Sequence, residues 1–177
     1  MAREFIMPGR IVSGENALQM AETNLKEMGT KALIVTDEVM IRLGNAAHVE
    51  QALKNQNIDY VLYSGISGEP TDQMIYKGLE LYQSEGCDFL VAMGGGSPID
   101  SMKAIGALAT NGGKISDYMG KTFEKVTPPM AAIPTTAGTG SEATQFTIIT
   151  DTENDVKMLL KGSVLMPDLA IIDPQFT

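Results

Sequence analysis

Phe89-Leu90-Val91-Ala92-Met93-Gly94-Gly95-Gly96-Ser97-Pro98-Ile99-Asp100 runs from five apolar residues into three glycines and then into a helix start. An uninterrupted apolar run is what a strand covered on both faces requires, as in a parallel sheet. Three glycines remove every Cβ from the turn, so the backbone can approach a ligand closely. Ser97 is expected as the N-cap and Pro98 as the first helical residue, opening a predicted helix over 97–110. Free N–H groups and the positive dipole end of such a helix favour a phosphate or pyrophosphate. A plainer alternative is a well-capped helix, with Ser97 and Asp100 as a capping box and Asp100–Lys103 as a surface pair. A cap needs one serine and at most one glycine, so the triple glycine favours phosphate binding.

Outward from this stretch the chain alternates. Glu15 to Met28 has helical spacing and is stopped by Gly29. Ala32-Leu33-Ile34-Val35 is a second continuous apolar strand. A helix is predicted over 45–55, a strand over 60–63, a helix over 71–84 and a strand over 130–133. The start, 4–13, reads as extended. From Thr144 the pattern turns β-rich, with strands at 146–150, 158–160 and 169–172, expected to form a flap on the main sheet. Strand–helix alternation argues for one α/β domain over 1–177, a Rossmann-like doubly wound and mainly parallel sheet.

Composition narrows the function. The 177 residues are 44% hydrophobic and 20% charged, ordinary for a folded globular chain. The formal net charge is −9 and no Lys/Arg run occurs, which disfavours nucleic acid and anionic membrane surfaces as partners. The single cysteine, Cys87, points to a reducing compartment. No apolar run approaches the roughly 20 residues that span a bilayer. Met1-Ala2-Arg3-Glu4-Phe5 has no signal-like apolar region. A cytoplasmic location is expected.

In open α/β sheets ligands bind beyond the carboxyl ends of the strands. That rule selects four loops: Asp37-Glu38, Ser64 to Pro70, Gly94 to Ser97, and Pro134 to Ser141. The last, Pro134-Thr135-Thr136-Ala137-Gly138-Thr139-Gly140-Ser141-Glu142, offers hydroxyls and open amides suited to ribose and phosphate oxygens. Asp37, at a strand end, can accept from an adenosine ribose diol and would repel a 2′-phosphate; it can equally well start a helix. Gly138 to Ala143 matches G-x-G-x-x-A, but β-rich sequence follows it, so that fingerprint fails. Gly120-Lys121-Thr122 lacks the first glycine of a phosphate loop. Cys87 reads as a small buried residue, the lone His48 as a surface helix position, and the twelve methionines as packing.

Gly94-Gly95-Gly96-Ser97-Pro98-Ile99-Asp100-Ser101-Met102-Lys103 resembles the GGGSxxDxxK signature of the iron-containing (group III) alcohol dehydrogenases. Pro134 to Glu142 is similar to their PTTxGTGSE signature, and Leu165 to Pro174 to the segment closing their N-terminal domain. Within the family the branch containing lactaldehyde reductase and 1,3-propanediol dehydrogenase is nearest. The resemblance implies a dehydroquinate synthase-like N-terminal domain binding NAD, with NADP less favoured. It places the pyrophosphate on Gly95, Gly96 and Ser97, and Asp100 towards the nicotinamide. Thr135, Thr136, Thr139 and additionally Thr144 would line the adenine and ribose side, Asp37 would select the adenosine ribose, and Lys157 would reach the nicotinamide ribose. Members also carry a helical C-terminal domain whose Asp and three His bind Fe²⁺, or sometimes Zn²⁺. This chain ends at Thr177 with one His. It is therefore expected to be the cofactor half of an enzyme moving hydride between NAD(H) and a small primary alcohol or aldehyde. No catalytic or metal-ligating residue is assigned to it, and it should bind cofactor without turnover. Exposed apolar surface and a homo-oligomer are expected. A glycerol-type dehydrogenase or dehydroquinate synthase half, or a non-catalytic nucleotide-binding module, remain the alternatives.

Overall fold

The computed structural model describes residues 5–177; Met1 to Glu4, including the first residue of the expected extended start, lie outside the described residues. Along the chain follow β1 (Arg10–Ser13), α1 (Ala17–Met20), α2 (Glu22–Met28), β2 (Lys31–Val35), α3 (Glu38–Arg42), α4 (Asn45–Asn55), β3 (Asp59–Tyr63) and α5 (Asp72–Ser84). Then come β4 (Phe89–Gly94), α6 (Gly96–Asn111), β5 (Met130–Pro134), β6 (Phe146–Asp151), β7 (Val156–Lys161) and β8 (Leu169–Ile172).

Six strands form one sheet in the order β1-β8-β5-β4-β2-β3, every neighbouring pair parallel. The apolar runs are continuous because both faces are covered. Along β4, Leu90 and Ala92 enter the core under α5 and α6, while Phe89, Val91 and Met93 enter the core under α1, α2 and α4. β6 and β7 pair antiparallel as a separate hairpin, the expected flap. β8, read with them as β-rich tail, instead joins the main sheet between β1 and β5.

Other departures are local. The predicted 15–28 helix is two helices that meet at Ala21, whose N–H is shared between the Ala17 and Leu18 carbonyls at 3.0 and 3.2 Å. Gly29 ends α2 where a Cβ would fall 2.5 Å from Asp88 Oδ1. α3 was signalled only by the reading of Asp37 as a helix start; five residues are too few for a helical period to show. Met7, Met20 and Met119 are exposed, so not every methionine is core. His48 is exposed and Cys87 buried, as read.

β2 leads through α3 and α4 outward to β3, and the chain then returns across β2 to start β4. The order therefore reverses between β2 and β4, which opens a crevice at their carboxyl ends. Thr36, fully buried after β2, donates its hydroxyl to the Met93 carbonyl at 2.8 Å and fixes the two strand ends together there.

Candidate active site

The four loops named from the strand-end rule meet in one cleft of about 750 Å³. Asp37 to Met40 and Arg42 form one wall, Ser64 to Gly68 another, and Gly95 to Pro98 with Thr135 and Thr136 the floor. A smaller recess of about 310 Å³ lies at the opposite, amino end of the strands. Its charged groups are already committed there: Arg10 to Glu27, and Asp168 to the Met130 amide.

The glycine loop is shaped by close approach. Gly94 has φ +148°, and a Cβ on it would fall 2.6 Å from Pro98 Cγ. A Cβ on Gly96 would fall 3.0 Å from Thr139 Cγ2, and one on Gly95 would fall 3.4 Å from Thr136 Cγ2. The glycines thus let the threonine loop lie directly on the glycine turn, and the Thr135 amide donates to the Gly94 carbonyl at 2.9 Å.

The helix start differs from the expectation. α6 begins at Gly96 with Gly95 as N-cap, and no side chain caps it. Ser97 is therefore the second helical residue and Pro98 the third. Proline is tolerated anywhere in a first turn, where its missing N–H has no partner to lose, so it does not fix the start. Ser97 keeps a free hydroxyl at the cleft, and the uncapped N-terminus of α6 faces the same space.

Asp37 does start a helix: it caps α3, its Oδ1 accepting the Met40 amide at 2.9 Å. Its second oxygen carries no such bond, and Asp37 lines the cleft.

Four candidates stand outside the cleft lining: Asp100, Thr144, Lys157 and Thr139, whose hydroxyl accepts the Ser141 amide at 3.3 Å. Asp100 accepts the Ile148 amide on Oδ2 at 3.1 Å, and its carbonyl accepts the Thr147 hydroxyl at 2.7 Å. Burial raises its carboxyl above the ordinary value, against the Ile148 amide and nearby Lys103. Thr144 bonds Lys103, through its hydroxyl at 3.0 Å and its carbonyl at 2.7 Å. Lys157, exposed on β7, is paired with Glu69 of the Ser64–Pro70 loop. The capping box is absent because Gly95, not Ser97, is the N-cap, and the Asp100–Lys103 surface pair is absent because Lys103 is fully buried. Arg42 and the Ser64–Gly68 backbone line the cleft without having been named individually. Their signal was position alone, beyond the ends of β2 and β3.

Residues 8–174 match the family model for iron-containing alcohol dehydrogenases. The chain is 40% identical over 173 residues to an NAD-dependent methanol dehydrogenase of Bacillus methanolicus, covering 97% of this chain and 45% of that protein. It is 34% identical over 180 residues to the lactaldehyde reductase of Escherichia coli K12, covering 98% and 46%. A crystal structure of a 1,3-propanediol oxidoreductase superposes over 100% of this chain and 47% of its own, with a TM-score of 0.96 at 32% identity. The chain thus spans about half the length of the relatives it matches.

Proposed function

The chain belongs to the iron-containing alcohol dehydrogenases, and from that premise we propose that its cleft binds NAD(H). One observation carries the proposal: a glycine turn, a threonine loop and an acidic strand end converge on one cleft where the strand order reverses. The cofactor fits the residues present, because Gly95 and Gly96 add bare backbone to a floor otherwise made of Ser97, Pro98, Thr135 and Thr136. Gly95, Gly96 and Ser97 hold the pyrophosphate, with α6 supplying a positive dipole end. Asp37 accepts the adenosine ribose hydroxyls, and its charge disfavours a 2′-phosphate, so NAD is preferred to NADP. Thr135, Thr136 and Thr139 line the cofactor. Lys157 reaches the nicotinamide ribose by leaving Glu69, which costs little for an exposed pair. Asp100 and Thr144 support the same wall from behind.

NAD(H) supplies the hydride chemistry when bound; this chain binds and orients it. We infer that the complete enzyme moves hydride between NAD(H) and a small primary alcohol or aldehyde, with a proton balancing the alcohol. Among the described residues no group of three or more His, Cys, Asp or Glu is placed to hold a metal ion. These residues do not fit the family's Fe²⁺ site, and this chain alone binds without turnover. Exposed Phe146, Ile148 and Leu159 on the hairpin support self-association into a homo-oligomer.

The test is an NADH titration followed by nicotinamide fluorescence, with NADPH in parallel; the chain contains no Trp to interfere. Saturable binding that favours NADH supports the reading. A folded chain that binds neither nucleotide overturns it.

A further inference from the structure

Lys103 is a lysine with no solvent exposure, in the middle of a helix whose buried neighbours are otherwise uncharged. An ammonium so placed is costly unless its protons are all accepted. Here all three have acceptors in one short segment: the Thr144 carbonyl at 2.7 Å, the Thr144 hydroxyl at 3.0 Å and the Phe146 carbonyl at 3.0 Å. Those oxygens belong to the chain as it enters β6. One turn earlier on α6, Asp100 takes the Ile148 amide and the Thr147 hydroxyl, so the same helix face grips β6 at successive points. The far end of the hairpin reaches the segment that directly follows the Ser64–Gly68 cleft wall. There the Thr150 amide donates to the Pro70 carbonyl at 2.8 Å, the Thr152 hydroxyl to Asp72 at 2.8 Å, and Lys157 pairs with Glu69. The hairpin therefore bridges α6 and the segment that supports the Ser64–Gly68 wall, and Lys103 clasps its base. The charged groups facing Lys103 are Asp100 on its own helix and Glu142 from the loop after β5. β6 presents it with neutral oxygens.

We propose that Lys103 is a positioning residue for the cofactor site: through Thr144 and Phe146 it holds the β6–β7 hairpin where the nicotinamide half of a bound dinucleotide needs it. Lys103 itself touches no part of the cleft. The proposal rests on the NAD(H) reading above and adds a division of labour to it. Asp37 and the glycine turn hold the adenosine diphosphate end, and the clasped hairpin governs the other end.

Lys103→Met keeps the unbranched side chain, one atom shorter, and removes both charge and donors. NADH and ADP affinities are measured by titration for both chains, and amide hydrogen exchange is followed across β6 and β7. The expected result is a loss of NADH affinity of about tenfold, the scale of one lost charge-assisted hydrogen bond. ADP affinity should stay within about twofold, and hairpin amides should exchange faster than those of β4 and β5. Unchanged NADH affinity, or NADH and ADP falling together, overturns the proposal. If Lys103→Met does not fold, Lys103→Gln, which keeps two donors at shorter reach, must show the same selective loss in smaller measure; equal losses for both nucleotides sink it. Failure of the cofactor reading is visible separately, as a wild-type chain that binds neither nucleotide.

Discussion

At Gly94 the backbone takes φ +148° and leaves no room for a Cβ beside Pro98. Gly94→Ala adds a conformational strain and a close contact at once, so the folded state should lose about 3 kcal/mol. Urea unfolding of the two chains checks this. Asp37 makes a second residue-scale prediction. Asn keeps the α3 cap but removes the charge, so Asp37→Asn should leave stability nearly unchanged. It should also shift the NADPH-to-NADH affinity ratio upward by about tenfold, ~1.4 kcal/mol; parallel titrations read that ratio. Much of this was legible at the residue level. Glycines and threonines declared their loops, and Asp37 declared its strand end. Two readings failed for a physical reason: the surface-pair alternative at Asp100 and Lys103, and the helix start at Ser97 and Pro98. Spacing puts Asp100 and Lys103 on one helix face without saying that this face is buried. Pro98 restricts a first turn without fixing which residue begins it.

Elements are held in register by polar clamps as well as by the core. Asp88, just before β4, accepts the Thr30 amide at 2.8 Å, the Thr30 hydroxyl at 2.7 Å and the Lys31 amide at 2.8 Å. Burial alone would raise its carboxyl, but these bonds from Lys31 and Thr30 outweigh it and hold the value below the ordinary 3.8. A folded value below the unfolded one means that the unfolded chain binds more protons in acid. The contribution is full above the ordinary value and lost as pH falls through the depressed one. Asp88→Asn should therefore be less stable than wild type near neutrality, with the gap closing below about pH 3.8. Unfolding curves across that range measure it. The strands were the most legible elements, because a continuous apolar run has few other uses. α3 was hidden by its length, and β8 by its neighbours: a β-rich tail does not say which strand pairs with which.

At the scale of the molecule, the sheet's order does the functional work. Reversal between β2 and β4 opens the crevice, and two cores on opposite faces make its edges rigid. Alternating strands and helices made the doubly wound class readable from sequence, and the strand-end rule then pointed to the cleft before its shape was known. Readability ended where pairing over long distances began, in the hairpin's contacts with α6 and with Glu69, Pro70 and Asp72. Nothing in local pattern encodes which helix face a distant hairpin will meet. The same scale sets the catalytic expectation. Without a cluster of metal ligands among the described residues, the chain supplied with Fe²⁺, NADH and a small aldehyde should show no turnover, measured by loss of nicotinamide absorbance.

The central claim is that NAD(H) occupies the crevice between β2 and β4. Amide chemical-shift mapping of the 18.9 kDa chain during an NADH titration tests it most directly. The account predicts saturable shifts concentrated at 37–42, 64–68, 94–97 and 134–141, with smaller ones in β6 and β7. A folded chain whose amides do not move, or whose shifts gather at the amino end of the strands around Arg10, Pro129 and Asp168, would contradict it.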